Sequence, residues 1–586
     1  MNFTLRATLF ALLSGAVASG CSSQGALPQP GAGLAPDTTS ANLSIAARAG
    51  NGVVADAPPM TQLGVRDAGA APSHARLRLT LTLQYRNQAQ LDRLVEEQTD
   101  AHSGRYRQWL SDAQFDASYA PSRATYSGVL RSLRAAGFRI ENTFENRTVI
   151  DASAPVAAID RYFRTSVHRV TEKSGSDYLN VRPAYAPAEL NGALLSVDGL
   201  DTVTVVHTDH LTVARGAGSK LPNASNSSLF GPVSSATGYR GYAPRAFSVG
   251  YDLPVEHLGS NSKPYDGLGR ASGIAIDADF AESDLRAFLA YFKIARTGPA
   301  TKRILLLGGP PPGDSTNDSI EAALDAEALV GNAPGTALSM YEIPSLKNAS
   351  ITDLYNRVVS DNTVDTLNSS FGGCEVDIGA KTVEAWSRLA EQGAAKGITF
   401  HASSGDSGGS LCANAPASSP YFVAVGGTAL TVGTGGTWAM EVAWDGSGGG
   451  ISTVFPLPKW QAGTAGTVDR GRNVPDVALD ANPDTGIAFY YTGTWNTNYN
   501  PLGGTSLSSP IFGAAVTEID QFKNGRMGNG GSALFGAFKT AGYGSAPTPV
   551  FHDIVEGSNG PYDAVEGYDL VTGIGSVDAW NIAQNL

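Results

Sequence analysis

Cysteine is scarce in this chain: its 586 residues contain three, which excludes a disulfide-dense scaffold. Charge is scarce too. Lys, Arg, Asp and Glu make up 16% of the residues, and the acids outnumber the bases to give a net charge of −13. That balance argues against nucleic acid as a partner. Long apolar runs are missing, since no segment after the N-terminal stretch reaches the ~20 residues of a membrane-spanning helix. Histidine is the fourth shortage. Of eight, His74, His102, His168, His207 and His210 precede residue 214. Only His257, His401 and His552 remain for the larger C-terminal part. None opens a Gly-rich helix beside an acid, so a histidine-based triad is poorly supported.

What is present is glycine, proline and a solid apolar fraction: 68 Gly, 32 Pro and 42% hydrophobic residues. The length calls for two or three domains, and the composition suits a loop-rich extracytoplasmic protein. Arg6 and the short apolar run Leu9 to Leu13 read as a signal peptide over residues 1–21. Val17-Ala18-Ser19-Gly20-Cys21 resembles a lipoprotein cleavage box, so Cys21 is a candidate lipidation site, with ordinary signal cleavage as the alternative. In an oxidising compartment the remaining even pair, Cys374 and Cys412, makes a plausible disulfide.

Residues 22–72, rich in Ala, Gly, Pro, Ser and Thr, read as a flexible tether. Over 73–213 the pattern is α+β. Leu77, Leu79, Leu81 and Leu83 alternate with polar residues as in a half-buried strand. Helices follow over Gln88–Glu97 and Pro121–Ala136, strands at Phe138–Ile140 and Val149–Ala152, and a helix at Pro155–Phe163. Two β-α-β halves in this order predict a ferredoxin-like sandwich. Residues 214–240 turn to Gly, Ser, Asn and Pro and read as a cleavable linker. From 241 to 586 strands and helices alternate, which predicts a doubly wound parallel sheet with its site at the carboxyl ends of strands.

Four stretches carry candidate chemistry. Gly503-Gly504-Thr505-Ser506-Leu507-Ser508-Ser509-Pro510 sets a serine in a Gly-rich turn before a helix, where free N–H groups can stabilise an oxyanion. A plain helix cap is the competing reading. On the predicted helix Ser319–Val330, Glu321 and Asp325 are four apart and share a face. Such a pair can accept a serine proton at acidic pH, or it can be a solvated acidic face. Ser403-Ser404-Gly405-Asp406-Ser407-Gly408-Gly409 follows a strand. It is either a turn or the seat of a protonated Asp406 that donates to an oxyanion. Asp553-Ile554 and Val565-Glu566-Gly567-Tyr568-Asp569 offer two carboxylates and several carbonyls, an oxygen set suited to Ca²⁺.

Together these motifs resemble the sedolisin family of serine-carboxyl peptidases. Glu321-Ala322-Ala323-Leu324-Asp325 resembles its Glu-x-x-x-Asp helix. Ser404-Gly405-Asp406-Ser407-Gly408 resembles its oxyanion-aspartate loop, and Gly504 to Pro510 its nucleophile box. Phe551-His552-Asp553-Ile554 with Gly567-Tyr568-Asp569 resembles its calcium motif, and residues 73–213 its activation propeptide. The resemblance implies a subtilisin-like α/β catalytic domain. It implies Ser506 as nucleophile, Glu321 as base, Asp325 as its orienting partner and Asp406 at the oxyanion. One Ca²⁺ would be held by Asp553 and Asp569 side chains and the carbonyls of Ile554, Val565 and Gly567. Ser369-Ser370-Phe371-Gly372 resembles the substrate-aligning strand, and a Cys374–Cys412 bridge would brace it.

The expected activity is acid endopeptidase action on polypeptides through an acyl-enzyme. The expected form is a monomeric zymogen, secreted or lipid-anchored to the cell envelope. Its own propeptide would act as inhibitor until acid weakens the contacts. Two alternatives stand beside it. A histidine-dependent subtilase-like peptidase would use His401 or His552, and a non-catalytic surface protein would use the fold for binding.

Overall fold

The structure is a computed structural model. It describes residues 52–586 apart from 172–174, 204, 210, 213–227, 233–239, 311–316, 411, 494–500 and 545–547. Cys21 and the expected signal segment lie outside the described residues. Among the described residues no helix is long and apolar enough to cross a membrane.

The N-terminal domain is built on β1 (Arg76–Leu83), α1 (Gln88–Thr99), α2 (Arg123–Ala135), β2 (Arg139–Thr143), β3 (Val149–Pro155), α3 (Val156–Phe163) and β4 (Leu194–Asp198). The strands form an antiparallel sheet in the order β2-β3-β1-β4. That is the ferredoxin-like order expected from the sequence. Leu77, Leu79, Leu81 and Leu83 pack with Val129 and Leu133 of α2 and Ile159 and Phe163 of α3. The half-buried reading of β1 needs correction. Thr80 and Thr82, on its other face, are also fully buried. The second domain covers that face, and the Thr80 hydroxyl meets the Ala349 carbonyl there.

Two expected boundaries also shift. Within the expected tether, Val53–Ala55 and Arg66–Ala70 are strands that pair with Ala184–Tyr185 and Val167–Thr171. Short edge strands with Gly and Ala leave little hydrophobic pattern to read. At the end of the expected linker, Leu229 and Phe230 are buried in the core of the C-terminal domain. Most of that linker lies outside the described residues.

The C-terminal domain carries β7 (Ala271–Ile276), α4 (Glu282–Phe292), β8 (Lys302–Leu305), α5 (Asn317–Asn332), β9 (Ala337–Glu342), α6 (Asn348–Asp361), β10 (Thr366–Ser369), β11 (Phe371–Cys374), α7 (Ala380–Ala395), β12 (Thr399–Ser403), β13 (Phe422–Val432), β14 (Trp438–Ala443), β15 (Val477–Asp480), β16 (Leu502–Gly503) and α8 (Thr505–Phe522). Between the two domains come the short strands β5 (His207–Thr208) and β6 (Leu211–Thr212). The main sheet runs β8-β9-β7-β10-β12-β13-β14, with β15 beside β13, and is parallel except for β14. Chain order reverses around β7, since β8 and β9 lie to one side and β10, β12 and β13 to the other. Crevices open at such points, at the carboxyl ends of the strands.

Helices α5 and α8 share one core. Ala322, Ala323, Leu324 and Ala326 pack in a cluster with Leu507, Ile511, Phe512 and Ala515. Small residues on α5 let the two helices approach closely, which buries α5 on nearly every side. Residues 44–586 form a single compact unit, with the N-terminal sheet seated on α6 and α7. Trp109 fits where a Cβ on Gly397 or Gly528 would come within 2.8 and 2.4 Å of its ring.

Candidate active site

Gly504 has φ 101° and immediately precedes α8. A left-handed φ of that size favours glycine, and it turns the chain from β16 into the helix within one residue. Ser506 is therefore the second helical residue. No side chain caps this helix, so the capping alternative for Ser506 fails. Its N–H is one of the first four of a helix, which have no intrahelical partner. Here it donates to the Asp209 carbonyl at 3.0 Å.

The Ser506 side chain is fully buried, and its Oγ lies 3.3 Å from the Ser370 carbonyl. The Glu321 carboxyl has the hydroxyls of Ser506 and Ser370 as hydrogen-bonding neighbours. Burial pushes Glu321 well above the usual carboxylate range. The Ser506 hydroxyl opposes that shift, while the nearby Asp209 and Asp318 carboxylates add to it. Asp325, one turn along α5, accepts the Ser370 hydroxyl at 2.6 Å. Ser370 thus stands between the two acids. It also accepts from Asn368 at 2.8 Å. Glu321 and Asp325 are both wholly buried, so the solvated-face reading of α5 fails too.

Asp406 enters from the loop after β12. Gly405 has φ 110°, and a Cβ there would come 2.1 Å from Asn414 Nδ2, which fixes the loop as a glycine turn. Asp406 Oδ1 accepts both the N–H and the hydroxyl of Thr505, each at 2.7 Å. Its Oδ2 is buried and makes no hydrogen bond among the described residues. Burial first, and the Asp209 carboxylate second, hold Asp406 well above its ordinary value. A carboxyl in that state keeps its proton and can donate it.

The two C-terminal histidines sit elsewhere. His401 Nδ1 is 3.0 Å from Ser509 Oγ, and burial pulls its pKa down to about 3. His552 stacks on Trp438 with ring centroids 4.2 Å apart, and burial lowers it to about 4. Neither hydrogen-bonds Ser506.

A peptide segment occupies the groove beside Ser506. β5 pairs antiparallel with β11, and β6 with β16. The segment belongs to the chain just after the N-terminal domain, and it crosses the site like a bound strand. Sequence reasoning missed Asp209, and it named Ser370 and Ser403 only as members of quoted stretches, without these contacts. None stands in a distinctive pattern, and only the tertiary pairing brings them to the site. Cys374 and Cys412 are joined by a disulfide with Cα atoms 5.6 Å apart. It links β11 to the loop after Asp406, so both walls of this groove are tied together.

The chain is also similar to known proteins. Residues 63–203 match the family described as Pro-kumamolisin, activation domain. Residues 313–530 match the Subtilase family. Sedolisin from Pseudomonas sp. (strain 101) is 29% identical over 534 residues, covering 85% of both chains. Along most of its length the chain is thus similar to sedolisin-type peptidases. Kumamolisin from Bacillus sp. (strain MN-32) is 28% identical, over 87% of this chain and 91% of that one. Tripeptidyl-peptidase 1 from Canis lupus familiaris is 25% identical over 78% and 81%. Among solved structures, Pseudomonas sedolisin, a serine-carboxyl proteinase complexed with pseudo-iodotyrostatin, aligns with a TM-score of 0.50 and 28% identity. It covers 60% of this chain and 98% of that one. The chain is a serine-type peptidase with an activation domain and a subtilisin-like catalytic fold.

The expected calcium residues fall on one loop system. Gly567 N–H donates to both Asp553 oxygens at 3.2 Å, and Val565 N–H donates to Asp569 Oδ2 at 3.1 Å. Both carboxylates therefore converge on Val565-Glu566-Gly567. Ile554 is buried and Val565 is half exposed. Among the described residues no three or more His, Cys, Asp or Glu are grouped so as to hold a metal ion, so any cation here would need carbonyl oxygens beside the two carboxylates. Such a hard-oxygen donor set fits Ca²⁺.

Proposed function

We propose that this protein is an acid-active endopeptidase zymogen in which Ser506 attacks the peptide carbonyl and Glu321 is the general base. Glu321 takes the Ser506 proton and later delivers it to the leaving amine. Asp325, through the Ser370 hydroxyl, holds Glu321 in position. The Ser506 N–H and a protonated Asp406 stabilise the oxyanion. Water then hydrolyses the acyl-enzyme. The observation that carries this reading is the convergence on one carbonyl: Ser506 N–H is on the Asp209 oxygen while the Ser506 hydroxyl neighbours Glu321.

Endopeptidase action is supported by the length of the occupied groove. A Cβ on Gly373 would come 2.5 Å from the Val205 carbonyl, so the cleft accepts chain four residues before Asp209. A cleft built to release tripeptides would close sooner. Asp553 and Asp569, with the carbonyls of Ile554, Val565 and Gly567, would hold Ca²⁺. The ion would brace this loop against its own carboxylate repulsion. Export follows from the N-terminal signal pattern, with Cys21 as the lipid site if the cleavage box is used. The test is peptide hydrolysis from pH 3 to 8 by the parent and by Glu321→Gln. Undiminished activity in the variant would overturn the assignment.

A further inference from the structure

The groove segment is placed as a substrate, residue by residue. Asp209 N–H donates to the Ser370 carbonyl at 3.2 Å, and the Asp209 carbonyl accepts the Ser506 N–H at 3.0 Å. Two residues earlier His207 stands opposite Gly372, and Thr208 opposite Phe371. Beyond the site Leu211 stands opposite Gly503, and Thr212 opposite Leu502. The chain therefore pairs with β11 up to Asp209 and with β16 from Leu211. The carbonyl that lies at the Ser506 N–H is that of Asp209, and in the sequence the bond after it leads to His210.

The Asp209 side chain has its own contact. Ser403 Oγ, at the end of β12, donates to its Oδ2 at 2.8 Å. The absence of a side chain at Gly372 leaves room beside it, since a Cβ there would stand 3.5 Å from the same oxygen. The other acids around the site are Glu321 and Asp406, and Asp318 accepts the neighbouring Thr208 hydroxyl at 3.2 Å.

We propose that the Asp209–His210 bond is the activation cleavage site, and that the subsite facing Ser403 selects substrates with a carboxyl side chain on the acyl side of the scissile bond. This rests on the proposed function and names the substrate class of the same site. Ser506 Oγ bonds to the Asp209 carbonyl carbon while its proton passes to Glu321. The C–N bond to His210 breaks, and the His210 amine takes that proton. One water then converts the Asp209–Ser506 ester to a free α-carboxylate and restores the serine. The cut lies upstream of the Gly/Ser/Asn-rich stretch 214–240, where composition alone directs attention.

The full-length chain, brought to pH 4 and sampled from the earliest times by mass spectrometry, should yield an N-terminal fragment ending at Asp209 and a partner starting at His210. First fragments at any other bond overturn the site, as does an uncut chain that still hydrolyses added peptides. Ser506→Ala run in parallel separates the two readings. If it is processed like the parent, the proposed function itself falls. If only the parent is cut but elsewhere, only this inference falls. A second arm uses the peptide spanning residues 205–212 with Asp, Asn or Lys at the position of Asp209. The parent should favour Asp over Lys by at least ~10-fold in kcat/KM, a ratio of the size one buried polar contact supplies. Ser403→Ala should lose most of that ratio. Equal rates for Asp and Lys in the parent overturn the subsite.

Discussion

Helix α8 presents two buried serines three residues apart, each beside a titratable side chain. Ser506 neighbours Glu321, and its N–H reaches a peptide carbonyl in an open-ended groove. Ser509 lies 3.0 Å from His401 and donates to Asn368 at 2.7 Å. By residue type the second pair is the conventional one. Its surroundings disqualify it. A Cβ on Gly513 would come within 2.8 Å of His401 Nε2, and the ring packs edge-on to Phe512 at 5.6 Å. No substrate can enter there, and burial keeps the imidazole neutral down to about pH 3. A nucleophile needs a base, an oxyanion donor and access together; of the two serines, only Ser506 has a carboxyl neighbour, a peptide carbonyl at its N–H and an open groove beside it.

The sharpest way to break this comparison is to remove each hydroxyl. Ser506→Ala should abolish peptide hydrolysis, a loss on the order of 10⁶-fold in kcat by the precedent of serine peptidases. Ser509→Ala should stay within about tenfold of the parent, its cost appearing as a lower Tm. Comparable losses from both would erase the distinction.

Next come the acids. Glu321→Gln is expected to lower kcat by about 10²- to 10⁴-fold as a lost general base, against little change in kcat for His401→Asn. Asp406→Ala should cost about 10²- to 10³-fold, the scale of one oxyanion donor. The pH profile carries the sign. Asp406 donates only when protonated, and its pKa is raised, so its contribution survives above the normal carboxylate range and disappears as pH climbs further. Glu321 accepts a proton only when ionised, so activity falls on the acid side as well. A profile rising monotonically to pH 8 would contradict both roles.

A smaller effect tests the inhibitory face. Asp198 of β4 is buried between the domains, accepting the hydroxyls of Thr382 at 2.7 Å and Thr352 at 2.8 Å. Burial raises its pKa to about 6. A folded-state pKa above the unfolded one adds stability that is complete below the unfolded value and lost as pH rises through about 6. The interface thus gains from acid at this position, contrary to the expectation that acid loosens the propeptide. Of the ion pairs between the domains, Lys396–Asp112, Lys459–Glu96 and Arg388–Asp92 have well-exposed carboxylates and contribute little, whereas Arg78–Asp353 has a buried one. In the Ser506→Ala background, Asp198→Asn should flatten the fall in Tm between pH 4 and 7. An unchanged slope would remove Asp198 from the account. Last, a chelator should lower Tm modestly by emptying the Asp553/Asp569 loop, with Asp569→Asn insensitive to it.

Much of the frame was legible in the sequence. The 3.6-residue spacing on α2, the alternation in β1 and the strand–helix repeat from 271 onward are local patterns, and they predicted both domains. So did the turn glycines around Ser506 and Asp406, because a left-handed φ leaves a mark in residue choice. Burial on both faces of β1 was not legible, since the second covering layer comes from α6, far along the chain. The role of Ser370 was equally hidden. A serine between two strands carries no label, and its place between Glu321 and Asp325 exists only once β10 and α5 are packed.

The sequence by itself determined the residue set: a serine at a glycine turn, a carboxylate pair one helical turn apart, an aspartate after a strand, and a shortage of placed histidines. Tertiary structure alone decided which serine faces which acid, and which bond lies over it. Hydrogen-bond partners at a site come from segments hundreds of residues apart, so no local pattern encodes them. The Asp209 carbonyl reaches the Ser506 N–H only because β5 and β6 pair with β11 and β16 on either side of it.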